Sequence, residues 1–152
     1  MRVHLLAVGR CKEAAIKSLV AEYGNRLRPA LSLVEVEERK ALPAAELKAR
    51  EGQLLLEALP KGATLVALDE HGKSLSSQAF AEQIGRWRDS GVADLAFAIG
   101  GADGHDAALL SRADFKLSLS PLTWPHMLVR VMLAEQVYRA HSILAGHPYH
   151  RE

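Results

Sequence analysis

The residues best suited to chemistry gather towards the end of this 152-residue sequence, which closes with the letters GHPYHRE. That stretch contains His147, Tyr149, His150 and Arg151. Imidazole moves protons near neutral pH, tyrosine stacks on nucleic-acid bases, and arginine binds phosphate. A solvated polar tail is the alternative interpretation, because chain ends are commonly loose.

Metal binding is not expected. His126, His141, His147 and His150 fit no standard zinc spacing, and the single cysteine, Cys11, lies far from them in the sequence.

Three turns in the second half offer further candidate ligands. They read LDEHGK (68–73), IGGADG (99–104) and LSPLTWPH (119–126), and each follows an apolar run typical of a strand. Ligands of open α/β sheets bind at the carboxyl ends of the strands, so these turns are candidate site loops. Gly100 and Gly101 let backbone approach a ligand, or simply form a tight turn.

Two common phosphate-binding motifs are excluded. A P-loop requires a glycine where Ala67 stands, and the turn at 99–104 lacks the spacing of a dinucleotide fingerprint. We therefore expect no conventional nucleotide-binding loop.

Five strand–helix units must position these turns. Apolar runs predict strands over 3–8, 31–36, 64–68, 93–100 and 115–119, and periodic segments predict helices over 16–27, 43–59, 77–88, 105–113 and 125–144. Strands that alternate with helices indicate a parallel sheet with helices on both faces, an α/β fold. The length predicts one domain over 1–152.

The last predicted helix has an unusually wide apolar arc. One stripe contains Met127, Val131 and Tyr138, and a second contains Leu133 and Leu144. A single sheet face needs a stripe of about 100°. We expect the remainder to contact a second subunit; burial under the chain's own loops is the alternative.

Composition limits the function classes. Hydrophobic residues make up 49% and charged residues 24%, as in ordinary globular proteins, and 19 basic against 18 acidic residues give a net charge of +1. Any nucleic-acid contact must therefore be local. No signal peptide or membrane-spanning run is visible, so we expect a cytoplasmic protein without membrane contact.

The C-terminal block LTWPHMLVRVMLAEQVYRAHSILAGHPYHRE, with AVGR, LDEHGK and IGGADG, closely resembles the small SPOUT-class methyltransferases of the RlmH type. The resemblance implies a SAM-dependent enzyme that methylates N3 of a pseudouridine in 23S (large-subunit) ribosomal RNA, on the assembled ribosome. It also implies a homodimer and a C-terminal trefoil knot, which periodicity alone would not predict.

The resemblance also implies where the cofactor S-adenosylmethionine binds. The positions carried over are Leu68, Gly100, Leu119, Ser120, Pro121, Leu122, Thr123 and Trp124.

The remaining roles are hypotheses from the tail's chemistry and the family's ending. His150 accepts the N3 proton, Tyr149 stacks or hydrogen-bonds, and Arg151 binds phosphate or a developing negative charge. His126, Arg130 and His147 are candidate RNA contacts. In the alternative, His126 is satisfied by backbone, and Arg130 and Arg139 are internal and paired with Glu135.

Two other functions stay open from the sequence. The five units and the glycine turn also suit a non-catalytic module that binds a nucleotide or flavin. A nearer alternative is methyl transfer to another base of ribosomal or transfer RNA.

Overall fold

A computed structural model describes Met1–Arg151; residue 152, which the one-domain prediction includes, lies outside the described residues. The strands are β1 (Arg2–Val8), β2 (Ser32–Val36), β3 (Thr64–Ser74), β4 (Asp94–Ile99) and β5 (Phe115–Ser118). The helices are α1 (Ala14–Gly24), α2 (Ala44–Ala58), α3 (Ser77–Asp89), α4 (Ala107–Arg112) and α5 (His126–Leu144). The alternation of strands and helices confirms the sequence prediction.

The five strands form one sheet in the order β2-β1-β4-β3-β5, and every neighbouring pair is parallel. The predicted α/β class is therefore confirmed. The central strand β4 is buried along its whole length, as expected for a strand covered by helices on both faces. The carboxyl ends of β4, β3 and β5 lie side by side, so their three following loops share one edge. The trefoil knot stays a prediction.

Each face of the sheet has its own apolar layer. Side chains of α3 and α5 pack with Phe97 and Val66 on one face, and α1 packs against α5 beside them. On the opposite face, α2 and α4 contribute Leu55 and Leu109, which pack with Ala98. Alternate residues of β4 thus belong to opposite layers, as the period of a strand requires.

The third strand differs from its prediction. The sequence suggests a strand that ends at Leu68, whereas β3 continues to Ser74 with a register shift: Leu68 and Lys73 both pair with Leu117 of β5. Residues 69–72, here called the β3 excursion, bulge out between these two pairings. The predicted turn is therefore an interruption inside a longer strand.

Candidate active site

A cavity of about 520 Å³ lies at the carboxyl ends of β3, β4 and β5. The β3 excursion, the loop after β4 and the loop after β5 line it, together with the start of α5. These are the three turns that the sequence nominated. A volume of this size suits a small-molecule ligand.

The loop after β4 is tightly folded. Gly101 and Gly104 form an isolated bridge, in which the amide of Gly104 donates to the carbonyl of Gly101 at 3.0 Å. A Cβ on Gly100 would lie 2.9 Å from the carbonyl carbon of Gly104, and Gly104 itself has a φ of +76°. The loop therefore needs glycine at both positions. It is a tight turn, as one interpretation expected, but the positive φ lies at Gly104 and not at Gly100 or Gly101. Backbone contact with a ligand stays a prediction.

The β3 excursion packs directly on β5. A Cβ on Gly72 would lie 2.7 Å from the carbonyl carbon and oxygen of Lys116. Only glycine lets the excursion approach the neighbouring strand this closely. Asp69, Glu70 and His71 of the excursion line the cavity.

The loop after β5 is held by its own hydroxyl groups. Ser118 donates through its hydroxyl to the carbonyl of Ser120 at 3.3 Å, and the Ser120 hydroxyl accepts from the amide of Leu122 at 2.9 Å. Pro125 then caps the start of α5 without a side-chain hydrogen bond. This loop is exposed, and Leu122 keeps 67% of its surface accessible.

All the cofactor positions carried over from the resemblance except Pro121 line this cavity. Ile99 and Leu117 extend its apolar wall, whereas the carboxylates of Asp69, Glu70 and Asp103 stand at its polar side. Apolar walls suit a flat base, and carboxylates attract a cation. The lining of the cavity therefore fits S-adenosylmethionine, which joins a nucleoside to a positively charged sulfonium and ammonium.

His105 also lines the cavity, which sequence reasoning missed. Its Nε2 lies 3.1 Å from the carbonyl oxygen of Ala98, to which it donates. Burial lowers the pKa of His105, and it does so despite the hydrogen bond to Ala98 and the charges of Asp69 and Asp106. His105 is therefore a neutral side chain that ties the loop after β4 to its strand.

His126 and Arg130 occupy the first turns of α5, but only His126 lines the cavity. The Arg130 side chain is fully buried: it forms an ion pair with Glu35 and donates to the carbonyls of Val8 at 3.2 Å and Gly9 at 2.7 Å. The candidate RNA contact at Arg130 is therefore wrong for this position, because the guanidinium has no exposed surface. It is internal, as the alternative expected, although Glu35 rather than Glu135 is its partner.

Glu35 is the other half of that internal pair. Burial raises its pKa, but the amide of Cys11, which donates at 2.7 Å, and the ion pair with Arg130 together outweigh burial, so the pKa of Glu35 is lowered. Glu35 stays ionised at neutral pH and joins β2, the loop after β1 and α5.

The tail folds back on the second half of α5. Tyr149 donates through its hydroxyl to Glu135 at 3.0 Å, and its ring packs at 67° on Tyr138, with centroids 4.7 Å apart. Burial first, and then the contact with Glu135, raises the pKa of Tyr149 to about 12. Tyr149 is thus a neutral anchor of the tail, a hydrogen-bonding role that its hypothesis allowed.

The other tail residues differ in exposure. His150 lies 3.1 Å from Arg139 through its Nδ1, whereas His147 and Arg151 are exposed. The Nδ1 of His147 accepts from the amide of Tyr149 at 3.2 Å, which shapes the tail locally. His141 instead faces the Val137 carbonyl of its own helix at 2.8 Å.

The cavity and the tail are separate places within one chain. His126 marks the cavity end of α5 and Glu135 marks the tail end; nine residues of helix separate them by about 13 Å along the axis. The structure thus brings the predicted cofactor positions together with His126, and it brings Tyr149 and His150 together elsewhere. Glu135 and Arg139, which organise the tail, were considered from sequence only as an internal pair.

Among residues 1–151, no group of three or more His, Cys, Asp or Glu side chains is arranged to hold a metal ion. Within the same residues, no helix has the length and apolarity to cross a membrane.

A family profile described as "Predicted SPOUT methyltransferase" matches residues 1–150. The chain belongs to this family. It is 57% identical over 151 residues to the "Ribosomal RNA large subunit methyltransferase H" of Rhodospirillum centenum, and 55% identical over 151 residues to the protein of that name from Paramagnetospirillum magneticum; each match covers 99% of both chains.

Solved structures show the same fold at low identity. The SpoU methyltransferase AviRb of Streptomyces viridochromogenes, in complex with AdoMet, matches with a TM-score of 0.52 and 15% identity. The match covers 95% of this chain and 62% of that one. The ribosomal RNA small subunit methyltransferase E of Neisseria gonorrhoeae, bound to S-adenosyl methionine, gives 0.50 at 12% identity, over 95% and 66% of the two chains. This chain therefore spans about two thirds of those longer proteins.

Proposed function

We propose that this protein is a SAM-dependent methyltransferase that acts on N3 of a pseudouridine in large-subunit ribosomal RNA, on the ribosome in the cytoplasm. The observation that carries the proposal is the cavity at the ends of β3, β4 and β5, which all the carried-over cofactor positions but Pro121 line. The substrate class is supported by the similarity, over 99% of both chains, to proteins named as large-subunit ribosomal RNA methyltransferases.

Positioning dominates the chemistry. S-adenosylmethionine supplies an electrophilic methyl group on a sulfonium, so the protein must align that methyl with the attacking nitrogen. Leu68 and Leu119 give the cavity apolar walls, and Asp69 and Asp103 supply negative charge on its polar side. The loop after β4 offers backbone at Gly100 without a side chain in the way.

We also propose that the active protein is a homodimer in which the tail of one subunit serves the cavity of the other. Exposed apolar side chains surround the start of α5: Leu122 is 67%, Trp124 39% and Leu128 43% accessible. Clustered exposed apolar residues of this kind favour a protein interface. Such an interface places a partner's tail within reach of the cavity.

A bulky side chain in the cavity tests the cofactor site. Thr123 lines the cavity and is exposed, so Thr123→Trp should fill the site without disturbing the core. We expect calorimetry to show S-adenosylmethionine binding to the wild type and none to Thr123→Trp. Gln53→Trp, at an exposed position of α2, is the matched control and should bind normally.

The substrate is tested in cells. Mass spectrometry of 23S ribosomal RNA should show one methylated pseudouridine that disappears without this protein, returns with the wild type or Gln53→Trp, and stays absent with Thr123→Trp. Identical ribosomal RNA with and without the protein would refute the substrate. Stabilisation by a flavin, with none by S-adenosylmethionine, would refute the methyltransferase itself.

A further inference from the structure

A chain of hydrogen bonds from Glu135 through Arg139 to His150 holds the end of the tail on α5. Arg139 donates through Nε to Glu135 at 3.0 Å and through Nη2 to the same carboxylate oxygen at 2.5 Å. The remaining arm of the guanidinium, Nη1, lies 3.1 Å from Nδ1 of His150. Glu135 therefore orients Arg139, and Arg139 faces one particular nitrogen of His150.

The direction of that last hydrogen bond is fixed by chemistry. A guanidinium carries only donors, so Nδ1 of His150 must accept. A neutral imidazole carries one N–H, which then sits on Nε2. The hydrogen bond to Glu135, more than any other contact, raises the pKa of Arg139, so the donor is charged at every working pH.

We propose that Arg139 is a positioning residue that holds His150 as the Nε2–H tautomer, so that His150 donates a hydrogen bond to the substrate base instead of taking its proton. The inference rests on the proposed function, because it assigns a role in methyl transfer to the tail. It replaces the hypothesis that His150 accepts the N3 proton: in this arrangement the ring has no free lone pair to accept with.

The reaction balances without a protein base. The weakly acidic N3–H of the pseudouridine ring releases its proton to water, and the negative charge spreads onto the two carbonyl oxygens that flank N3. His150 stabilises that anion through Nε2–H, as donors do for other oxyanions. The N3–C bond then forms as the C–S bond breaks, and the electron pair of that bond goes to sulfur.

A pair of substitutions at His150 separates donor from base. Glutamine places an N–H near the position of the histidine Nε2 but cannot take up a proton near neutral pH, whereas leucine can do neither. If His150 donates, His150→Gln should lower kcat about tenfold, and His150→Leu should lower it about 100- to 1000-fold, which is typical for the loss of one such donor. Equal losses in the two variants would overturn the proposal.

A spectroscopic readout tests the role of Arg139 without any reaction. In ¹⁵N NMR of the full-length protein, His150 should show an unprotonated Nδ1 and a protonated Nε2. Arg139→Met should shift His150 towards a mixture of tautomers, and Arg139→Lys, which keeps a charged donor, should restore part of the wild-type signal. Arg86→Met, on the exposed side of α3, should change nothing.

The NMR results and the activity results test different claims: the tautomer of His150 and the proposed methyltransferase function. A protonated Nδ1 in the wild type, or a His150 signal that ignores Arg139→Met, would refute the tautomer assignment whatever the enzyme does. Wild-type protein that neither binds S-adenosylmethionine nor methylates ribosomal RNA would refute the proposed function, whatever the NMR shows. The His150 and Arg139 variants should still bind S-adenosylmethionine, because the proposed contact of His150 is with the substrate base and the lining of the cavity is unchanged.

Discussion

Arg130→Met should cost this protein about 3 kcal/mol of its free energy of unfolding, which is a large share of the total for a small protein. Arg130 is fully buried at the point where α5 crosses the carboxyl end of β1. Methionine fills a similar volume, so the variant removes the guanidinium without leaving a large cavity.

The magnitude follows from what the guanidinium contacts. The bond to the Glu35 carboxylate contributes about 1.5–3 kcal/mol and each bond to the carbonyls of Val8 and Gly9 about 0.5–1.5 kcal/mol. Breaking a fully buried ion pair costs about 3–5 kcal/mol, mostly for the charge left behind. The Glu35 side chain keeps 28% of its surface, so water partly solvates the abandoned carboxylate. We therefore expect the lower end of that range.

Urea denaturation measures the effect. With a slope of about 1–3 kcal/mol per molar urea, the midpoint should fall by about 1–3 M. Arg86→Met, an exposed control, should stay within about 0.5 kcal/mol of the wild type. An Arg130→Met variant as stable as Arg86→Met would refute the reasoning, because the buried contacts would then contribute nothing.

The same variant has a predicted pH dependence. The pKa of Glu35 is lowered below its ordinary value of 4.5 in the folded protein, so its stabilisation is present above that pH and is lost as the pH falls through the folded-state pKa. The stability gap between wild type and Arg130→Met should therefore be widest near neutral pH and shrink as the pH falls below 4.5. A gap that grows in acid would contradict the assigned ion pair.

Two further predictions concern the cavity. Gly72→Ala places a Cβ 2.7 Å from the Lys116 carbonyl, an overpacking that costs about 1–3 kcal/mol; if the β3 excursion moves to relieve it, S-adenosylmethionine should bind about tenfold more weakly by calorimetry. Unchanged affinity would show that the excursion does not shape the site. For the dimer, one chain carries Thr123→Trp and the other carries His150→Leu, and the two are refolded together. Methyl transfer should return, because the intact cavity of the His150→Leu chain then meets the intact tail of the Thr123→Trp chain. No recovery from a mixture that sediments as dimers would mean that each chain uses its own tail.

The sequence predicts the fold well where local pattern and tertiary packing agree. The unbroken apolar run of β4 predicts a strand buried on both faces, and it is buried throughout. Pro43 and Pro125 mark helix starts, since each fixes its own φ and lacks the amide that a first turn leaves unpaired. Order along the chain and the parallel sheet follow from these local signals.

The extension of β3 could not be predicted in this way. Residues 69–72 read as a polar turn, and nothing local shows that Lys73 resumes pairing with β5. That pairing depends on the close approach at Gly72, a contact between residues far apart in the sequence. The sequence therefore predicts this turn as a candidate site loop but singles out none of residues 69–72, although Asp69 lines the cavity.

The burial of the charged Arg130 is the second feature that the sequence could not predict. An arginine within a helix ordinarily faces water, so Arg130 reads as a candidate RNA contact. Its position between His126 and Ala134, four residues from each, places it on a face turned inward. The carboxylate of Glu35, on a strand at the edge of the sheet, and the carbonyls of Val8 and Gly9 make that position tolerable for a charge. Because Glu35 lies 95 residues away, the pairing leaves no local signal.

The geometry of α5 supports the proposed site shared between two chains. Methyl transfer needs the reacting atoms about 3–3.5 Å apart, whereas the tail anchor at Glu135 lies about 13 Å along the helix from the cavity residue His126. To serve its own cavity, a tail would have to give up the hydrogen bonds of Tyr149 to Glu135 and of His150 to Arg139. In the proposed dimer a partner's tail would keep both contacts, and this is why we assign the tail to the cavity of the other chain.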